Sequence, residues 1–299
     1  MSKVLAIFCA DIHLRSASPR SRIDDFQKAQ WNKINQLTLL AQKHDCPIIC
    51  SGDLFDVAKS SNELVLRAIE ELPFMYVVPG QHDLPNHRIS ALNKSSLGVL
   101  QGAGKLKVVL EPLELDNFIL FPFPFGEEVT CISPNKKKKT LAVTHQLILD
   151  SAKSAWSGYD GEVAHTFLDK VSGYDMVLSG DNHVTFVHEI KDKILVNPGS
   201  LMRQNSDQVE HKPSVFLWKD CADDPVQQVF LEVESSVLKE SNTQSIARFE
   251  GSQELYIKLK GLSGQDDSKI SFQSNLQHLL KTTPEPTKIF IWESYHSNK

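Results

Sequence analysis

The chain has 299 residues, 41% hydrophobic and 23% charged, the make-up of a soluble globular protein with room for one large domain or a large domain with an appendage. Its net charge of −5 excludes a global pull toward nucleic acid, so any such binding would rest on local patches. No apolar run approaches the roughly 18 residues of a membrane span, and five scattered cysteines without a CxxC pair exclude a disulfide scaffold and a zinc–thiolate site.

The opening "MSKVLAIFCADIHL" reads as a first core strand and not as a signal peptide. An Asp and a His follow the apolar run at once, and no small-residue cleavage site appears. Next comes "IDDFQKAQWNKINQLTLLAQKH", which sets Phe26, Ile34, Leu37 and Leu40 at helical intervals. "CPIICS" reads as a second strand and "SSNELVLRAIEEL" as a second helix, capped by Ser61 or Asn62. "FMYVV", "TLAVT" and "YDMVLS" are further short apolar runs bounded by Gly, Pro or Asp, as buried strands are. Phe121, Phe123 and Phe125 alternate with Pro, which points to half-buried strand packing. Cys9, Cys50 and Cys131 have apolar neighbours and read as small buried hydrophobes, in keeping with a reducing, cytoplasmic setting.

Strands alternating with helices indicate an α/β domain. Composition shifts after about residue 230, where "SSVLKESNTQSIARFEGSQ" reads as a polar connection. Beyond it "ELYIKLKGL" reads as a strand, "SKISFQSNLQHLLKT" as a helix, "TTPEPT" as a loop and "KIFIWES" as a last strand. The expected division is a main domain over 1–230 and a small C-terminal α+β accessory domain over 231–299.

Five of the apolar runs end in polar clusters. They are Asp11 and His13; Asp53 and Asp56; Gln81, His82 and Asp83; His145; and Asp181 and His183. Open α/β sheets place their ligands at the carboxyl ends of strands, so five such clusters on one edge would make a site. The set offers carboxylates, an amide oxygen and imidazoles but no thiolate. That mixture suits Mn²⁺, Mg²⁺ or Fe²⁺ better than structural Zn²⁺.

Taken in order, D-x-H, G-D-x-x-D, G-Q-H-D, a lone His and G-D-N-H resemble the motif string of calcineurin-like metallophosphoesterases, over residues 11–183. The resemblance implies an α/β fold: a β-sandwich flanked by helices, with the C-terminal domain as a cap. It implies two divalent ions, Mn²⁺ first, with Mg²⁺ or Fe²⁺ as alternatives. Asp11, His13 and His183 would hold one ion, Asp53 would bridge, and Gln81, His145 and Asp181 would complete the second. His82 would protonate the leaving oxygen, and Asp83 would hold its imidazole by a hydrogen bond. Two positions depart from the family: Gln81 stands where Asn is usual, and Asp181 where His is usual. The pair reads as a length exchange that keeps the second ion, with Asp11, Asp53 and Asp181 setting three negative charges against four positive ones.

Within the family, "NPGS" with the strand after it, and "FILFPFPFGEE" ahead of "TLAVTH", resemble the SbcD-like exonucleases, the nuclease subunits of double-strand-break repair complexes. The short chain and altered ligands resemble phage-type members. This branch implies DNA as substrate, a coiled-coil ATPase subunit of the SbcC type as partner, and a homodimer. It sets no membrane requirement and fits the cytoplasm, or a host cell's cytoplasm for a virus-encoded chain. The rival readings are a small-molecule phosphodiesterase or phosphoprotein phosphatase on the same scaffold, and a catalytically weak DNA-binding subunit. Substrate contacts are expected from Arg15, His87 and the lysine run Lys136, Lys137, Lys138 and Lys139, whose bland reading is a solvated hairpin tip. Asp56 reads as a helix cap or loop support.

Overall fold

A computed structural model describes residues 2–135, 137–152, 161–205, 208–233 and 237–239. All belong to the first of two units into which the chain divides, Met1–Ser241 and Asn242–Lys299. In chain order the strands are β1 Val4–Cys9, β2 Ile48–Cys50, β3 Met75–Val77, β4 Lys107–Val108, β5 Leu113–Glu114, β6 Phe118–Phe123, β7 Lys139–Thr144, β8 Ile148–Leu149, β9 Glu162–Val163, β10 Met176–Ser179, β11 Phe186–Ile190, β12 Lys193–Asn197, β13 Ser214–Lys219 and β14 Val226–Phe230. The α-helices are α1 Phe26–His44, α2 Asn62–Glu71, α3 Ser96–Gly102 and α4 Ala164–Lys170.

Helix α1 starts where Asp25 accepts the backbone N–H of Lys28, satisfying one of the donors a helix start leaves unpaired. It ends at Asp45 in the left-handed region, with Lys43 and His44 in the last turn opposing the helix dipole. Its buried stripe includes Phe26, Ile34 and Leu37, while Leu40 is partly buried. Of the two candidate caps on α2, Ser61 is the one used: its hydroxyl accepts from the Leu64 N–H.

Two six-stranded sheets carry the fold, ordered β14-β13-β1-β2-β3-β4 and β11-β12-β10-β7-β6-β5. Their facing sides share one core, to which Phe8, Ile49 and Trp218 come from the first sheet and Phe118, Leu141 and Leu178 from the second. The Trp218 ring meets Phe8 and Phe118 at centroid distances of 5.7 and 5.0 Å. Each such side chain contributes about 1.5–3 kcal/mol through burial. Ile7, Cys9 and Cys50 face the other way, into a second core with α1, α2 and α3. Helix α4 covers the outer side of the second sheet through Phe167 and Leu168. The expected α/β sandwich flanked by helices is therefore the fold of this unit.

Strand register levels the site. In the first sheet Cys9 is opposite Cys50, and Cys50 opposite Val77, so three parallel strands finish together. In the second, Phe123 is opposite Thr144, and Thr144 opposite Ser179. An isolated parallel bridge between Ala10 and Ser200 stitches the two sheets at this edge.

Two expectations change, and a third falls outside the described residues. Strands β6 and β7 pair in parallel, so the lysine run ends a crossover and is not a hairpin tip. Cys131 is exposed, because its segment belongs to no strand and packs Val129 and Ile132, not the cysteine, against the core under α4; Cys9 and Cys50 are buried as expected. The strand, helix and strand expected beyond residue 253 lie outside the described residues. Residues 237–239 run along the loop after β1, with the Ile23 N–H donating to Val237 O and the Lys239 N–H to Ser21 O.

Candidate metal centre

All seven expected ligands emerge just past the carboxyl ends of β1, β2, β3, β7 and β10, where the two sheets meet. The backbone there is bent hard. Asp11, His13, Asp53 and Asp181 have φ of 48, 48, 52 and 72°, a region non-glycine residues enter at a cost of about 1–3 kcal/mol each. Hydrogen bonds over-determine the bend: the Asp11 N–H donates to Gly52 O, the His13 N–H to Asp53 O, and the Leu201 N–H to Asp11 O. The "NPGS" segment takes part, since the Ser200 N–H donates to His183 O. Close packing requires glycine at Gly80, where a Cβ would fall on Asp53 Oδ1 and lie 2.7 Å from His145 Nε2.

On one side His13 Nε2 and His183 Nε2 are 3.1 Å apart, and each is 3.8 Å from Asp11 Oδ1. On the other, His145 Nε2 is 3.3 Å from Asp53 Oδ2. Asp53 Oδ2 also lies 3.7 Å from His13 Nε2, so this carboxylate stands between the two groups. Two sets of ligand atoms are each gathered within 4.8 Å: Asp11, His13 and His183, and Asp11, Asp53 and His145. Gln81 and Asp181 meet each other beside the second set, with Gln81 Nε2 2.6 Å from Asp181 Oδ1.

Whether these residues suit divalent ions is decided by their unused atoms. Asp11 Oδ2, Asp53 Oδ2, Gln81 Oε1 and His145 Nε2 are buried without a hydrogen-bond partner. Buried polar atoms are rarely left so, and three of these residues, Asp11, Asp53 and His145 from strands of both sheets, bring ligand atoms within 4.8 Å of one another. His145 is aimed by its other nitrogen, since Nδ1–H donates to Ser51 O at 2.5 Å and leaves Nε2 toward the centre. The residues fit hard divalent cations.

Electrostatics tell the same story. Burial pushes the Asp11 carboxyl up to about 8, and burial brings His13 down to about 3. Burial would also raise Asp53 and lower His145, but their mutual attraction wins, holding Asp53 below and His145 above its ordinary range. With no ion bound, burial thus favours a proton on Asp11 at neutral pH, and the Asp53 carboxylate favours one on His145. Both must leave for an ion to bind. Mn²⁺ affinity is expected to rise with pH, with up to about two protons released per chain near pH 6 and fewer near pH 9. Calorimetry in buffers of different ionisation enthalpy measures this, and an affinity flat across that range would refute it.

His82 is half-exposed, with Nε2 4.0 Å from Asp53 Oδ2. Its backbone N–H donates to Asp53 Oδ1 at 2.8 Å, and its Nδ1 lies 2.8 Å from Asp56 O, which can only accept. That corrects the role expected for Asp83. The Asp83 carboxylate does not hold the imidazole; it accepts the backbone N–H groups of Phe55 and Gly80, each at 3.1 Å, and so locks two site loops together. The imidazole is oriented by the carbonyl of Asp56, a backbone contact that side-chain chemistry in the sequence could not reveal. The Asp56 side chain also serves the site, 3.5 Å from Arg15 Nη1 and 3.7 Å from His13 Nδ1.

The expected substrate contacts divide. Arg15 stands at the rim, bonded to Gln204 and 28% exposed. His87 is exposed in a strained turn beyond Asp83, its ring edge on Phe125 at 5.8 Å. Lys137, Lys138 and Lys139 are not brought to the centre. They lie at the amino end of β7, whereas His145 follows its carboxyl end, about 20 Å away along six residues. Lys138 pairs with Glu114 and Lys139 with Asp220. Lys136 lies outside the described residues.

A two-sheet sandwich with an aspartate–histidine cage at its strand ends defines a metallohydrolase. The sequence profile of the calcineurin-like phosphoesterase superfamily domain matches residues 5–219, and the chain belongs to that superfamily of dimetal-dependent phosphoester hydrolases. No curated protein matches it. Among solved structures, a novel archaeal phosphodiesterase is 13% identical, with 76% of this chain and 99% of that one covered at a TM-score of 0.40. A putative 5'-nucleotidase from Staphylococcus aureus, in complex with alpha-ketoglutarate, is also 13% identical, with coverage of 86% and 58% and a TM-score of 0.45. Among the described residues no helix is long and apolar enough to cross a membrane.

Proposed function

We propose that the chain is a metal-dependent phosphodiesterase acting on DNA, a nuclease subunit of the SbcD-like kind. The observation that carries the hydrolytic part is the buried cage of unpartnered acceptors with a half-exposed imidazole at its lip. Asp11, His13 and His183 would hold one ion, His145 and Gln81 the other, with Asp53 between them. Divalent ions there supply Lewis-acid stabilisation of a phosphoryl group and an activated water. The protein's own part is positional and protonic. Asp56 O keeps His82 Nδ1 engaged, so Nε2 faces a bound diester and delivers a proton to the leaving oxygen. Arg15, tethered between Asp56 and Gln204, offers a cation to the phosphate beside the scissile one.

The choice of DNA is supported by the segments around "NPGS" and "FILFPFPFGEE", which resemble the SbcD-like branch, and it brings a coiled-coil ATPase subunit and a homodimer as proposed partners. A monomeric mass in light scattering would remove the homodimer. The second reading, a small phosphodiester as substrate, is favoured by the position of Lys137–Lys139 far from the centre and by the net charge of −5. The test is the purified chain with Mn²⁺ on duplex DNA, single-stranded DNA and bis-p-nitrophenyl phosphate, beside His82→Asn. DNA cleavage that vanishes in the variant is expected. Turnover of the small diester alone would establish the second reading, and no turnover of any substrate would refute both.

A further inference from the structure

Gln81 follows a strand of one sheet and Asp181 a strand of the other, yet their side chains meet at 2.6 Å. A carboxylate oxygen only accepts, so the amide nitrogen must face it; the flipped amide would press two oxygens together. The amide oxygen is thereby forced to point away from Asp181. Gln81 Oε1 is buried without a hydrogen-bond partner, as are Asp53 Oδ2 and His145 Nε2. Asp181 is itself held in place: its backbone N–H donates to Asp11 Oδ1 at 3.2 Å, and its φ is 72°. The second set of gathered ligand atoms comprises Asp11, Asp53 and His145, and Asp181 is not in it.

We propose that Asp181 is a positioning residue, which aims the Gln81 carbonyl at the second ion and does not bind that ion itself. The proposal rests on the two-ion reading of the centre but on no choice of substrate. It alters the charge arithmetic. Asp181 faces an amide donor, so two carboxylates, Asp11 and Asp53, stand against the four positive charges of two divalent ions. More positive charge is left for a phosphate than three ligating carboxylates would leave.

The test is Mn²⁺ titration of the full chain, followed by the electron paramagnetic resonance of free Mn²⁺. Wild type is compared with Asp181→Asn, Asp181→Ala, Gln81→Ala and the Gln81→Ala/Asp181→Ala double variant. The Asn carbonyl still accepts from the Gln81 amide, so Asp181→Asn is expected to keep the second-ion affinity within about threefold. Loss of such an orienting partner costs about 10–100-fold in metal affinity, the drop expected for Asp181→Ala. Once the Gln81 amide is gone, removing Asp181 has nothing further to disturb, so the double variant is expected to match Gln81→Ala. Unchanged binding of the first ion serves as the check on folding. Equal losses in Asp181→Asn and Asp181→Ala, with additive effects in the double variant, would make Asp181 a direct ligand and overturn this proposal alone. A wild type that takes up one ion overturns the two-ion reading and this proposal together.

Discussion

Asp53→Asn is expected to strip both ions from the centre and lower diester hydrolysis by at least about a thousandfold. Asp11 is the carboxylate that the two gathered sets share, while Asp53 faces both groups, with Oδ2 3.3 Å from His145 Nε2 and 3.7 Å from His13 Nε2. Amidation removes that charge and also takes away the anion that His145 faces. With the anion gone, burial lowers His145, so the loss reaches the ions through the missing carboxylate and not through a charged imidazole. The fold should survive, because Asn Oδ1 can still accept the His82 N–H that Asp53 Oδ1 accepts now. Metal content by mass spectrometry under native conditions, together with steady-state kinetics, checks this. Two ions per chain with activity within tenfold of wild type would remove Asp53 from the bridging position.

His82→Asn separates metal binding from proton transfer. The Asn side-chain amide can keep the bond to Asp56 O, which now anchors the imidazole at 2.8 Å, but it has no acidic proton to give. Loss of a positioned general acid costs about 10²–10⁴-fold in kcat. Metal stoichiometry should not change, since His82 belongs to neither gathered set. The effect should be largest for a poor alkoxide leaving group, as in DNA, and smallest for p-nitrophenolate, which leaves without help. Equal losses on both substrates would mean that His82 stabilises charge on phosphorus and does not protonate the leaving oxygen.

The strands that carry the site were legible because each is a short apolar run stopped by a polar cluster. Burial of β1 from both faces leaves no other reading for "VLAIFC". The polar clusters at the strand ends were legible too, and it was their order, which resembles the calcineurin-like metallophosphoesterase motif string, that implied ligand roles for them. What misled was the partner of each group. Asp83 follows His82 directly, yet its carboxylate turns to the Phe55 and Gly80 backbones, and Asp56 O, from another strand's loop, takes the imidazole. Lys137–Lys139 stand just ahead of or at the start of β7, near the site in sequence but a full strand length from it in space, because β7 runs toward the centre.

The sandwich and its cage for divalent ions were implied by the resemblance to calcineurin-like metallophosphoesterases; from the residue list alone, apolar periodicity indicated an α/β domain and polar clusters at its strand ends. Both follow from local chemistry: burial of short β-branched runs, and the cost of polar atoms placed at their ends. The direction in which strands pair, and the side-chain contacts across the two sheets, were beyond its reach. A parallel and an antiparallel neighbour demand the same apolar run, and the contact between Gln81 and Asp181 exists because the packing of one sheet on the other brings the loops after β3 and β10 together. Those long-range choices made Asp181 a neighbour of an amide, where composition alone would have made it one more carboxylate in the cage.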